Sequence, residues 1–292
     1  MTPELREKVA GRLVVASVSG GKDSAAMCLW LQEQGIEHRR VFADTGWEHP
    51  LTYEYLRGPL TKALGPIDEV RNTKGGMEDF VLRHKQVFPS RVMRFCTQEL
   101  KVRPLVAYVS GVQDEAGEVV SAVGIRAAES EARSKMPEWE WGDDFDCDVW
   151  RPLLRWTEQE VIDIHHRHGL APNPLYLKGA TRVGCWPCIF ARKAEIKLLA
   201  DISPERIDRI RELEAEVAKA QNARAAAKGE VRARPHSTFF YGRSADSNGQ
   251  TGIDDAVAWA RTGKGGRQYD LIEQDQPEGC VRWGLCESGG DK

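Results

Sequence analysis

The chain contains no apolar run long enough to cross a membrane, and its start, Met1 to Arg12, is too polar for a secretory signal. Neither an integral membrane protein nor a secreted one is therefore expected, and the reading is cytoplasmic. An excess of one charge is also missing: 41 Lys and Arg stand against 44 Asp and Glu, a formal net charge of −3. That balance gives no global attraction to nucleic acid, although a local basic groove stays open. Cysteine is sparse and odd in number, seven in 292 residues. A disulfide scaffold is thereby excluded, and in a reducing compartment metal binding or thiol chemistry is the better expectation. The length suits one large domain, or one domain with an appendage.

What the chain does have is a pronounced local pattern near its start. Leu13-Val14-Val15-Ala16-Ser17-Val18 is apolar and mostly β-branched, which predicts a fully buried strand. Ala25 to Gln34 predicts a helix stopped by Gly35. Between them lies Ser19-Gly20-Gly21-Lys22-Asp23-Ser24, expected as an exposed turn. A strand, a Gly-rich turn and a helix bring backbone N–H groups and the positive end of a helix dipole to one point, an arrangement that binds phosphate. A Walker A loop is excluded, because Ala16 stands where its first Gly belongs and Asp23 where it needs Ser or Thr. The turn instead resembles that of the PP-loop ATP pyrophosphatase superfamily, whose members cut ATP between the α and β phosphates and adenylate a substrate.

Glu37 to Gly46 predicts a second strand ending in a polar turn, and strand, helix, strand in this order implies a parallel α/β sheet. Ligands on such sheets sit at the carboxyl ends of the strands, which places Asp44 and Thr45 beside the phosphate turn. Arg126 ends another short apolar strand, Ser121 to Ile125, and its planar guanidinium suits phosphate.

Further segments resemble the phosphoadenosine phosphosulfate (PAPS) reductase family. These are Asp44-Thr45-Gly46 with the following Trp47, Glu48 and Pro50; Cys96 with Lys101-Val102-Arg103-Pro104-Leu105; and Gly124-Ile125-Arg126 with Glu129, Ser130 and Arg133. Arg151-Pro152-Leu153 and Asn173-Pro174-Leu175-Tyr176 complete the series, which runs from about residue 13 to residue 196. The resemblance implies a doubly wound parallel α/β sheet of the adenine nucleotide alpha hydrolase-like type, with a helical, cysteine-bearing C-terminal part. Residues 1–180 are expected to bind nucleotide, and residues 181–292 to form a helical, iron-sulfur-binding region. The expected nucleotide contacts are Ser19, Gly20, Gly21, Lys22, Asp23, Ser24, Asp44, Thr45, Gly124 and Arg126, with Lys22, Asp23 and Arg126 as catalytic groups.

Cys185-Trp186-Pro187-Cys188 is a Cys-x-x-Cys turn that suits a cluster, a zinc site or a thioredoxin-type redox pair. Similarity to the iron-sulfur adenylylsulfate reductases implies a [4Fe-4S] cluster on Cys96, Cys185, Cys188 and, from the tail, Cys286, with Cys280 in reserve and zinc as the alternative occupant. Cys28 and Cys147 match nothing, and Cys28 is expected in the core. Three functions follow. The first is an ATP- and Mg²⁺-dependent enzyme that adenylates a substrate, releases pyrophosphate and transfers sulfur through the cluster, as in nucleic-acid thiolation, with nucleic acid and a cysteine desulfurase or other sulfur donor as partners. The second is a PAPS or adenylylsulfate reductase producing sulfite. The third is a non-catalytic nucleotide-binding subunit of a larger assembly; self-association is left open.

Overall fold

A computed structural model describes residues 1–231, 236–240, 252–263 and 283. At its centre lies a six-stranded sheet in the order β3-β2-β1-β4-β6-β5. The strands are β1 (Leu13–Val18), β2 (His38–Ala43), β3 (Asp68–Val70), β4 (Val119–Val123), β5 (Trp139–Gly142) and β6 (Cys147–Trp150). Every pairing is parallel except that of β5 with β6.

The central strands are apolar because both of their faces are covered. In β1, Val14, Ala16 and Val18 enter the core beneath the helix Lys22–Glu33, whereas Val15 enters the opposite core with Val109 and Val112 of the helix Arg103–Ala116. The helix Lys22–Glu33 is itself buried almost all round, from Ala25 to Leu29 and at Leu31, since the helix Glu158–Arg167 covers its other side. Cys28 lies in this core, fully buried, and burial pushes its thiol up to about 12. The expected doubly wound parallel sheet is therefore present.

Helices Lys193–Ile202, Pro204–Ala226 and Ile253–Ala260 form the helical C-terminal part. Ile207, Ile210, Leu213 and Val217 form an apolar stripe buried along one helix, in a core shared with Trp47, Phe80, Phe88 and Phe95. Ser203 stands at the N-cap of the long helix Pro204–Ala226. Its hydroxyl accepts a hydrogen bond from Trp186 Nε1 at 3.0 Å, and the cap lacks a side-chain bond. Among the described residues, no helix is long and apolar enough to cross a membrane.

The sheet positions the candidate site through one close contact. A Cβ added at Gly124 would lie 2.7 Å from Ser24 Cα and 2.8 Å from the Asp23 carbonyl oxygen, so only glycine lets the end of β4 meet the first turn of the helix. Gly124→Ala should destabilise the fold by about 1–3 kcal/mol, because the obstructing atoms are backbone. Urea unfolding measures this, and a change below about 0.5 kcal/mol would show that the contact relaxes freely.

Candidate functional site

The turn after β1 is tied down from several directions. Gly20 has φ +73°, and a Cβ there would approach Thr52 Cγ2 to 2.8 Å, so the position requires glycine on both counts. Ser24 Oγ accepts from the Ser19 N–H at 3.1 Å and donates to the Gly21 carbonyl at 3.0 Å, closing the turn on itself. Asn173 Nδ2 donates to the Gly20 carbonyl at 3.2 Å. The Lys22 N–H donates to Tyr176 Oη at 3.1 Å, and the Lys22 carbonyl accepts from His165 Nε2 at 2.9 Å.

Contrary to the expected exposure, the charged members of this turn are largely buried: side-chain exposure is 7% for Lys22 and 13% for Asp23. A network of opposite charges offsets part of the cost of desolvation. Lys22 Nζ lies 3.2 Å from Glu158 Oε1, 3.7 Å from Asp23 Oδ2 and 5.0 Å above the Tyr176 ring. Arg126, at the end of β4 and 5% exposed, pairs with the other Asp23 oxygen. Lys22 and Arg126 thus flank one carboxylate at the start of the helix, beside Gly124.

Asp44 and Thr45 follow β2 and are also buried. Burial alone would raise the Asp44 pKa, but Tyr53, the Gly46 N–H and Arg71 outweigh it and hold the carboxyl below its ordinary value. Thr45 turns toward Glu48, donating from Oγ1 to Glu48 Oε1 at 2.7 Å, while its N–H and that of Trp47 both reach Glu48 Oε2 at 3.2 Å. Tyr53 Oη donates to Asp44 Oδ1 at 2.6 Å and lies 3.1 Å from Glu48 Oε2, so it bridges the two carboxylates.

The cysteine expectation needs correction. Cys96, Cys185 and Cys188 all pack against the core that holds Trp47 and Trp186. Among the described residues, however, no group of three or more His, Cys, Asp or Glu side chains is arranged to hold a metal ion. This overturns the expected iron-sulfur cluster, its zinc alternative and the expected Mg²⁺ ion. Cys280 and Cys286 lie outside the described residues. Local electrostatics explain the misfit. Burial pushes the Cys185 thiol up to about 11 and also raises that of Cys96. The space beside Cys185 already holds a cation, the Lys101 ammonium, whose pKa is raised chiefly by Cys185 and further by Glu48 and Cys188.

Several residues of the site were not identified by motif. Tyr176 and Asn173 were noted only as family segments, and their hydrogen bonds to the turn depend on the folded chain. His165 gave no signal beyond its place in a helix. Trp283 falls between the two tail cysteines, and its ring lies 5.3 Å from that of His165 and 5.8 Å from that of Tyr176.

The open, mostly parallel sheet with a Gly-rich strand-to-helix turn at its carboxyl edge is of the adenine nucleotide alpha hydrolase-like, PP-loop class of fold. Within that class the chain belongs to the phosphoadenosine phosphosulfate reductase family, whose domain matches residues 13–191. An uncharacterised 37.8 kDa protein of Escherichia phage 186 is 34% identical, over 94% of this chain and 96% of its own length. The adenosine 5′-phosphosulfate reductase of Allochromatium vinosum is 31% identical, over 63% of this chain and 72% of its own. The solved phosphoadenylyl-sulfate reductase of Candida auris overlaps 64% of this chain and 90% of its own, at 18% identity and a TM-score of 0.48.

His165 makes the site sensitive to acid. Burial is the main cause of its lowered pKa, opposed by the carbonyls of Lys22 and Leu170. The folded chain therefore binds fewer protons than the unfolded chain below the unfolded histidine pKa. The His165 contribution is complete above about pH 6.5 and is lost as pH falls through the folded pKa, at no more than about 1.4 kcal/mol per pH unit. Burial also lowers the pKa values of His38 and His49, so the informative quantity is the difference on substitution. His165→Gln should flatten the fall in urea midpoint between about pH 7 and about pH 5. Equal slopes in the two proteins would remove His165 as a cause.

Proposed function

We propose that the chain reduces a phosphosulfate of adenosine, either adenosine 5′-phosphosulfate or its 3′-phosphorylated form, to sulfite and the corresponding nucleotide. One observation carries this reading: the Ser19–Ser24 turn, Gly124 and Arg126 meet at the carboxyl ends of β1 and β4, inside the stretch that matches the reductase domain. Ser19, Gly20, Gly21, Lys22, Asp23 and Ser24 cradle the phosphosulfate. Lys22 and Arg126 offset its charge, and Asp44 and Thr45 border the adenosine. In the reaction a thiolate attacks the sulfur, the sulfur–oxygen bond to the phosphate breaks, and the electron pair leaves with the nucleotide. A second thiol, from a dithiol reductant, then attacks the sulfur attached to the protein, which releases sulfite and leaves a disulfide. The first thiol comes from Cys280 or Cys286, each three residues from Trp283 in the sequence.

The Lys-Asp pair of the turn favours a second reading, in which ATP adenylates a substrate with release of pyrophosphate before sulfur transfer. Incubation with each phosphosulfate plus dithiol, and separately with ATP, distinguishes the readings. Sulfite supports reduction, pyrophosphate supports adenylation, and nucleotide binding without either product leaves a non-catalytic subunit. Lys22→Ala, which removes a cation, and Arg126→Lys, whose ammonium cannot reproduce the guanidinium fork, should each lower sulfite formation about 10- to 100-fold. Wild-type rates in both variants would remove this site from the reaction.

A further inference from the structure

Trp283 is 2% exposed and packs with Ile162, Tyr176 and Val183 in a small core apart from the larger ones. Its carbonyl accepts a hydrogen bond from His166 Nε2 at 2.8 Å, which fixes the backbone beneath the ring. Of the three rings around it, those of His165, His166 and Tyr176, the first and the last hold Lys22 by its backbone. Tyr176 Oη takes the Lys22 N–H, and His165 Nε2 donates to the Lys22 carbonyl. One residue of the turn is thus gripped on both sides by side chains that share a single aromatic neighbour.

We propose that Trp283 is a positioning residue for the phosphate turn, acting through Tyr176 and His165 without touching the nucleotide. Its indole fills the space into which either ring would otherwise rotate, and so keeps the Tyr176 hydroxyl and the His165 Nε2 aimed at Lys22. A Trp that merely completed a small core would affect global stability, whereas a positioning Trp affects the turn first. The nucleotide consequence rests on the function proposed above; the mechanical one does not.

The test compares the full chain with Trp283→Ala and Trp283→Phe by amide hydrogen exchange in the free protein and by calorimetric binding of AMP and of adenosine. In Trp283→Ala, exchange of the peptide covering residues 19–24 should rise about tenfold while the β4 peptide, residues 119–123, stays unchanged. AMP affinity should fall about tenfold with adenosine affinity held within about twofold, because only the phosphate meets the turn. Trp283→Phe, which keeps an aromatic ring, should recover most of both effects. Unchanged exchange at residues 19–24, or an equal rise at β4, overturns the proposal, as does equal loss of AMP and adenosine binding. If the wild-type chain binds neither ligand, the proposed function fails, and the exchange comparison still decides the role of Trp283.

Discussion

Ser17 lies opposite Val123 in the parallel ladder between β1 and β4, and the whole candidate site depends on that register. It makes the two central strands end side by side, so the turn after β1 and the Gly124–Arg126 segment leave the sheet at one place. A slip by one residue would turn each side chain of the strand to the opposite face, exchanging Val15 with Val14 and Ala16 between the two cores. Because both cores are full, the register is fixed by packing, and the turn inherits its position from the strands. Gly124 then allows an approach that any Cβ would block.

The electrostatics follow from that geometry. Lys22 and Arg126 are drawn into a confined space where Asp23 and Glu158 supply the balancing charge. Removing one partner from such a set is more damaging than the net worth of the pair suggests, because it leaves another charge buried and uncompensated. The same arrangement orders both cations before any anion arrives, which is how a preorganised site stabilises developing negative charge. A phosphate or sulfonate at this point would compete with the Asp23 carboxylate for two cations at once. On the proposed function, Asp23 would therefore influence anion affinity alongside the basic residues beside it.

The legible parts of the chain were those with a local physical cause. The β-branched run from Leu13 to Val18 and the Gly-rich turn each specify their element with little help from afar. The β5–β6 hairpin was missed, although Trp139-Glu140-Trp141-Gly142 and Cys147-Asp148-Val149-Trp150 alternate in the strand manner. Lys22 illustrates a different limit, because its burial depends on Glu158, more than a hundred residues away. The cysteines illustrate a third. Cys-x-x-Cys spacing reports that two thiols can share a ligand, but it carries no information on Lys101 or on the burial that raises the Cys185 thiol pKa.

Long-range ties also determine how the turn after β2 is held. The Trp186 N–H donates to the Trp47 carbonyl at 2.7 Å, Glu48 and Cys185 form an isolated antiparallel bridge, and Trp47 Nε1 donates to the Pro187 carbonyl at 3.1 Å. From the long C-terminal helix, Arg206 stacks over the Trp47 ring at 4.3 Å and reaches the Glu48 carbonyl at 3.3 Å. Glu48 is therefore gripped through its backbone by the C-terminal segments and through its carboxylate by Thr45, Trp47 and Tyr53. Tyr53 passes the constraint on to Asp44. The helical part thus acts on the candidate site mechanically as well as by sharing a core. A displacement of Trp186 must move either the Trp47 carbonyl or the bonds that orient Asp44 and Thr45.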